Sequence, residues 1–188
     1  MIAQRRAGIS RALVIRTLLV LGGSCLMTIG ARFSVDIGTV PITGQTLALP
    51  LVVALLGTRQ STLAMLAYLA EGAVGIPVFA GAHAGPAILA GPTATTAGYL
   101  WSYPLAAWAI GTLYDAGFAQ SYFTRWIAIF LGIGIVFVAG AAVLAIYVGP
   151  AGAFALGVVP FILGDLAKVT IAAGAPKLWP KLATLLRL

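Results

Sequence analysis

The stretch Gly72–Tyr114, GAVGIPVFAGAHAGPAILAGPTATTAGYLWSYPLAAWAIGTLY, runs 43 residues without one Asp, Glu, Lys or Arg. A helix that crosses a bilayer takes roughly 20 mostly apolar residues, so this stretch holds more than one crossing plus a connection. The rest of the chain has the same character: 61% of its 188 residues are hydrophobic and 8% are charged. Soluble domains carry about 25% charged residues. So few charges cannot cover a water-exposed surface, and lipid must do it instead. The fold class expected is an all-α integral membrane protein. A β-barrel is excluded because the apolar runs lack the alternation of polar and apolar residues that a lumen requires.

Working outward from Gly72–Tyr114, the apolar runs give spans at about 13–31, 47–56, 62–76, 98–114, 126–148 and 154–173, six transmembrane helices in one domain, 1–188. The first run resembles a signal peptide, but further apolar segments follow it, so it is taken as a retained span. The second is short, and the sixth is interrupted by Pro160. With an even count, one side collects Arg5, Arg6, Arg11, Arg16, Arg59, Arg125, Lys177, Lys181 and Arg187, nine cations against Arg32 alone on the other. The positive-inside rule then places both termini in the cytoplasm. The net charge of +7 is thus accounted for by topology, and no basic-aromatic interleaving suggests nucleic acid. The tail from Pro176 has two open readings, a short amphipathic helix lying at the interface or a simple basic anchor. The one cysteine, Cys25, sits in an apolar run and cannot form an internal disulfide.

The polar groups are few and localised. The first external connection contains Val40-Pro41-Ile42, which favours extended backbone, followed by Thr43, Gln45 and Thr46. It is weakly polar, so it is expected to fold back over the bundle and close a cavity. Its threonines have two open roles, hydrogen bonding to a ligand or capping the second span. The second connection, from Gly75 to Pro92, is rich in Gly and Pro, so it is not a continuous helix. Non-helical backbone at membrane depth belongs where it lines a cavity. His83, the single histidine, is expected at the rim. It has no second histidine with which to hold a metal.

Asp165 and Lys168 are three residues apart and share a helix face. Ionisable groups inside a membrane face the bundle interior and mark functional sites. Two readings stand: an ion pair that fixes packing, or a polar floor in which Asp165 accepts from N–H groups and Lys168 donates to ligand oxygens. Glu71 is a third intramembrane ionisable group, with pairing to Lys168, structural support and pocket lining as its alternatives. Among Tyr99, Trp101, Tyr103 and Trp108, interface anchoring competes with stacking on a flat ligand, for which Tyr99 is the best placed. The glycines of the fifth span, Gly132, Gly134 and Gly140, suit close helix contacts, either inside the bundle or with a partner protein. One histidine and no nucleophile motif leave no case for an enzyme.

Four segments occur in order: Val40-Pro41-Ile42-Thr43-Gly44-Gln45-Thr46-Leu47, Tyr68-Leu69-Ala70-Glu71-Gly72 running on to Phe79-Ala80-Gly81, Gly91-Pro92-Thr93 with Gly98-Tyr99, and Gly164-Asp165-Leu166-Ala167-Lys168. Together they resemble the BioY family, the biotin-specific substrate-binding (S) components of energy-coupling-factor (ECF) vitamin transporters. The resemblance covers residues from about 10 to 175. It implies a multi-pass protein of a bacterial inner or plasma membrane that binds biotin tightly as substrate, needs no cofactor, and joins an ECF module of a transmembrane coupling protein and two ATPases. It implies a substrate site drawn from Thr43, Gln45, Tyr68, Glu71, Phe79, Gly81, His83, Tyr99, Asp165 and Lys168, with Thr43 and Gln45 in a lid loop. The chain departs from the family in the extra Ala94-Thr95-Thr96 before the Gly-Tyr segment, and in Gly81 where some relatives carry a polar side chain. No stretch matches the phosphate-binding G-x-x-x-x-G-K-S/T, so any ATP-driven step must come from partners. An S component for another vitamin, or a carrier that works without an ATPase, are the alternative expectations.

Overall fold

The computed structural model describes residues 2–92 and 94–186, with side chains from Arg11 onward. Thr93 and Arg187 lie outside the described residues, as do the side chains of Arg5 and Arg6. The chain is almost wholly helical: α1 (Ile2–Arg32), a two-stranded hairpin of β1 (Ser34–Val35) and β2 (Ile42–Thr43), α2 (Gln45–Ala73), a one-turn α3 (Pro86–Leu89), α4 (Ala97–Asp115), α5 (Tyr122–Gly157), α6 (Ile162–Ala173) and α7 (Trp179–Leu186). Three stretches are long and apolar enough to cross a membrane: Arg11–Arg32, Gln45–Ala73 and Tyr122–Ala173.

Two of these stretches turn back on themselves. Gly57 breaks α2 with φ 72° and ψ 176°. Along a straight helix Gln45 and Tyr68 would stand roughly 34 Å apart, yet the Gln45 amide nitrogen lies 2.8 Å from the Tyr68 hydroxyl. α2 is therefore a helical hairpin whose reversal is at Gly57, midway between those two residues. The expected second and third spans are its two arms. The break needs a glycine for two reasons: its φ is left-handed, and a Cβ there would come within 2.6 Å of the Trp179 ring. Gly149, with φ 75° and Pro150 behind it, breaks α5 in the same way, and beyond it Gly157 packs against Leu144. The interrupted sixth span thus resolves into the short arm ending at Gly157, a 3-10 turn Val159–Phe161 built on Pro160, and α6.

Small residues let the arms close. A Cβ at Gly23 of α1 would fall 2.7 Å from Ala64, and one at Gly132 would fall 2.3 Å from Ile110 of α4. One at Gly140 would fall 2.2 Å from the Tyr99 ring. Gly132 and Gly140 therefore serve internal packing, whereas a Cβ at Gly134 would meet nothing within 4 Å.

The two ends of the bundle differ in charge. At one end Arg32 donates to the Pro77 carbonyl (2.5 Å). At the other, Arg125 donates to the Ala173 carbonyl (2.8 Å) and Lys177 pairs with Asp115. Thr58 also donates to Asp115 (2.5 Å), and the Leu178 N–H donates to the Ala54 carbonyl (2.8 Å), which ties α7 beside the Gly57 reversal. The expected amphipathic tail helix is this α7.

Candidate functional site

The arms converge on a cavity of about 370 Å³ at the Arg32 end. This lies at the low end of the roughly 300–1,000 Å³ typical of small-molecule pockets. Its walls come from the hairpin, the N-terminus of α2, the Gly- and Pro-rich connection, α4, α5, the 3-10 turn Val159–Phe161 and α6.

α6 supplies the floor. Asp165 lies in its first turn, where the helix dipole favours a negative charge, and is 4% exposed. Its Oδ1 accepts from the Thr46 hydroxyl (2.8 Å) and from Lys168 Nζ (2.5 Å). Its Oδ2 is buried and has no hydrogen-bond partner among the described residues. Lys168 Nζ donates to Asp165 Oδ1, to the Thr43 carbonyl (2.7 Å) and to the Thr46 hydroxyl (3.2 Å). An ammonium has three donors, and all three are engaged within the protein. Lys168 lines the cavity as expected, with its donors turned to Thr43, Thr46 and Asp165. The backbone of β2 arrives at the floor and takes the donor first.

The hairpin covers the cavity as expected, with Ser34 opposite Thr43 and Val35 opposite Ile42 in antiparallel register. The cap position of α2 is Gly44, without a side-chain cap. The Thr43 hydroxyl nonetheless accepts from the Gln45 N–H (3.3 Å) and donates to Gln45 Oε1 (3.2 Å). Gln45 Nε2 in turn donates to Tyr68, whose hydroxyl donates to the Val78 carbonyl (3.2 Å). Gln45 is therefore held in one orientation at the cavity wall.

The second connection forms the opposite wall. Phe79 packs edge-on against Tyr68, with ring centroids 5.4 Å apart at 78°, and lies so close over Gly72 that a Cβ there would sit 2.0 Å from the ring. Gly81 and Ala82 both take left-handed φ, 66° and 62°, uncommon for an alanine. The turn they make presents His83 to the cavity. On α4, Tyr99 donates to the Gly157 carbonyl (2.8 Å), and Tyr103, one turn on, lies beside it. Trp101 and Trp108 face outward at 54% and 53% exposure. The aromatic cluster thus divides between Tyr99 and Tyr103, which line the cavity, and the two outward-facing tryptophans. Thr95 and Thr96 of the extra segment also join the wall, and Tyr99 keeps its place there.

Of the residues singled out from sequence, Thr43, Gln45, Phe79, Gly81, His83, Tyr99, Asp165 and Lys168 line this cavity. Tyr68 and Glu71 do not. Tyr68 stands behind Gln45 and Phe79, fully buried. Glu71 faces α1, accepting from the Ser24 hydroxyl rather than pairing with Lys168. Tyr103, Val136 and Phe161 line the cavity without having been assigned to it. Tyr103 was recoverable, since it is four residues from Tyr99 and so shares its helix face.

The family model described as the BioY family matches residues 4–184. The biotin transporter BioY of Thermotoga maritima is 38% identical over 153 residues, 80% of this chain and 86% of that protein. The probable biotin transporter BioY of Pyrococcus horikoshii is 37% identical over 147 residues, 78% of this chain and 85% of that one. Among solved structures, the S-component for biotin from an ECF-type ABC transporter matches with a TM-score of 0.76 over 87% of this chain and 89% of that chain, at 24% sequence identity. That likeness establishes a common fold.

Proposed function

This chain belongs to the BioY family, and on that footing we propose that it is the biotin-binding S component of an ECF-type uptake system. It is a transport protein and not an enzyme. The observation that carries the site assignment is the Asp165 carboxylate: buried, bonded through Oδ1, and with Oδ2 unpartnered in a largely apolar cavity. Biotin's ureido ring offers two N–H donors and a carbonyl acceptor. An N–H meeting Oδ2 completes a buried carboxylate that is otherwise half satisfied. Gln45 and the hydroxyls of the wall complement the ureido carbonyl, while Tyr99, Tyr103 and Phe161 cover the bicyclic ring. In so enclosed a site each hydrogen bond is stronger than in water. Thr43, Gln45, Phe79, Gly81, His83, Tyr99 and Asp165 form the binding surface, and Lys168 fixes Asp165 and the hairpin.

The topology we propose has six crossings in a single domain: α1, the two arms of α2, α4, the long arm of α5, and α6 with the short arm before it. Nine Lys and Arg on one side against Arg32 on the other put the termini in the cytoplasm and the cavity mouth outside. The membrane is the cell membrane of a bacterium. The energy source is a coupling protein with two ATPases, since the chain has no phosphate-binding loop of its own.

Equilibrium binding of radiolabelled biotin to the purified chain tests this reading, with thiamine and riboflavin as competitors. Saturable binding well below micromolar Kd, displaced by unlabelled biotin alone, is expected. A micromolar or weaker Kd, or equal displacement by unrelated vitamins, rejects it.

A further inference from the structure

The cavity sets two different electrostatic tasks for an acid with a neutral head. Its floor is an acceptor for N–H groups. Its mouth must receive the carboxylate tail, yet few groups there carry positive charge. Among the described lining residues, only Lys168 and His83 can be cationic, and the Lys168 donors are all engaged by Thr43, Thr46 and Asp165. We infer that His83 is the counter-charge for the substrate's carboxylate, which makes capture depend on pH. This rests on the biotin reading above and adds the recognition of its acid group.

Three observations support the assignment. The His83 backbone is pinned in a tight turn: its carbonyl accepts from the Phe79 N–H (3.1 Å), and its own N–H donates to the Ala80 carbonyl (3.3 Å). Its ring lies against Gly81, where a Cβ would sit 3.0 Å from the imidazole Cε1. The imidazole makes no hydrogen bond among the described residues, so its N–H groups are available to a ligand. The chain thus has a small residue where the ring rests and a left-handed pair that aims the ring at the cavity.

The other charged and titratable groups around the site stand on the hairpin, α1, α2, α4 and α6. Asp36 on the hairpin lines the cavity and accepts from the Gly38 N–H (3.0 Å), and Asp165 and Lys168 on α6 form the internal pair. On α4, Tyr99 and Tyr103 present phenol groups, and the Tyr99 hydroxyl is engaged by the Gly157 carbonyl. Arg32 is bonded to the Pro77 carbonyl and Glu71 to Ser24. Between about pH 5.5 and pH 8 the group whose ordinary range is crossed is imidazole, and a carboxylic acid tail is already ionised. A carboxylate favours imidazolium, so binding is tightest at the acid end of that range and weakens toward the alkaline end.

The test compares Kd for biotin and for biotin methyl ester, which keeps the ureido head but has no charge, across that pH range. Biotin Kd is expected to rise about threefold toward pH 8, the size of an exposed ion pair, while the ester's Kd stays flat. His83→Gln, which stays polar but cannot be protonated, is expected to flatten the biotin profile at the weaker value with an unchanged melting temperature. An equal slope for the ester, a slope that survives in His83→Gln, or a flat wild-type biotin profile overturns the assignment of His83 alone. Absence of saturable binding for both ligands at every pH removes the biotin reading itself.

Discussion

Replacing Asp165 with Asn changes almost nothing in shape and reverses what the floor of the cavity offers. The wild-type carboxylate has two acceptor oxygens: Oδ1 takes Thr46 and Lys168 at 2.8 and 2.5 Å, and Oδ2 has no partner among the described residues. Asn has one acceptor oxygen and one NH2 donor. Lys168 is an ammonium whose salt-bridge partner among the described residues is this side chain, so it holds the Asn oxygen on its side. The NH2 then occupies the Oδ2 position and meets the ligand's N–H donor against donor. A hydrogen bond to a charged group contributes about 1.5–3 kcal/mol, so losing it should weaken biotin Kd by roughly 10- to 150-fold. Binding of labelled biotin in detergent or nanodiscs measures this, with a thermal melt as the folding control. A second variant separates affinity from packing. Asp165→Leu with Lys168→Met removes both charges, and replacing a buried ion pair by apolar groups is often neutral for stability. That double variant should fold but bind no biotin, with a melt somewhat below wild type because the Thr43 carbonyl loses its Lys168 donor. A Kd for Asp165→Asn within about threefold of wild type, or biotin binding in the apolar double variant, would show that the pair serves packing alone.

Three further outcomes follow from the same coordinates. Tyr68→Phe leaves Gln45 Nε2 without its 2.8 Å acceptor in a fully buried place; it should cost about 1–3 kcal/mol of stability in a denaturant or thermal titration and weaken biotin binding less than Asp165→Asn does, because Tyr68 acts through Gln45. Gly140→Val puts a Cβ 2.2 Å from the Tyr99 ring; overpacking of this kind costs about 1–3 kcal/mol, and a lower melting temperature together with a faster biotin off-rate should reveal Tyr99 pushed into the cavity. At the opposite end, burial pushes the Asp115 carboxyl up, but hydrogen bonds from Lys177 and Thr58 outweigh it and hold the group below its ordinary value. Its contribution is therefore present above about pH 3.9 and is lost as pH falls through the lower folded value, so the melting temperatures of wild type and Asp115→Asn should differ at neutral pH and converge in acid.

The apolar runs made most of the helical arms legible because lipid imposes a length that composition records. What they hid was where helices reverse. Span boundaries drawn at 56 and 62 assumed that the polar Thr58-Arg59-Gln60 formed a loop, yet helix resumes directly after Gly57, because a single left-handed glycine completes the turn and Thr58 finds Asp115. The fifth helix begins at Tyr122 rather than 126, since Ser121 and Thr124 make a capping box across residues that hydropathy scored as loop. The third span was drawn to 76 and stops at Ala73, near Gly75 with φ 98°. The site was legible where chemistry and helical spacing agree, as for Asp165 with Lys168. It was not legible where the partner is backbone from far along the chain. Nothing in a three-residue spacing announces that the Thr43 carbonyl, 125 positions away, accepts a hydrogen bond from the lysine. Likewise, the motif containing Tyr68 and Glu71 gives their order but not their faces. One turns to Gln45 and the other to Ser24 on α1.

The engagement of Lys168 also bears on how a ligand can enter. Had its ammonium faced the cavity, the floor would attract carboxylates, and an amphiphilic acid could insert tail first. With its three donors closed on Thr43, Thr46 and Asp165, the directional group left at depth is the anionic Oδ2. A carboxylate arriving there would place like charges together in a low-dielectric site, which is strongly unfavourable, whereas an N–H donor is welcomed. On the proposed biotin reading, the pair would select orientation as well as chemistry: head group inward, acid toward the mouth. The same lysine bonds the last residue of β2, so the group that polarises the floor is also a clasp on the hairpin that covers it. Any substitution at Lys168 should consequently disturb two things at once, the acceptor geometry of Asp165 and the closure of the cavity. Its effect on affinity should then exceed the loss of one hydrogen bond, even though the side chain need never touch the ligand.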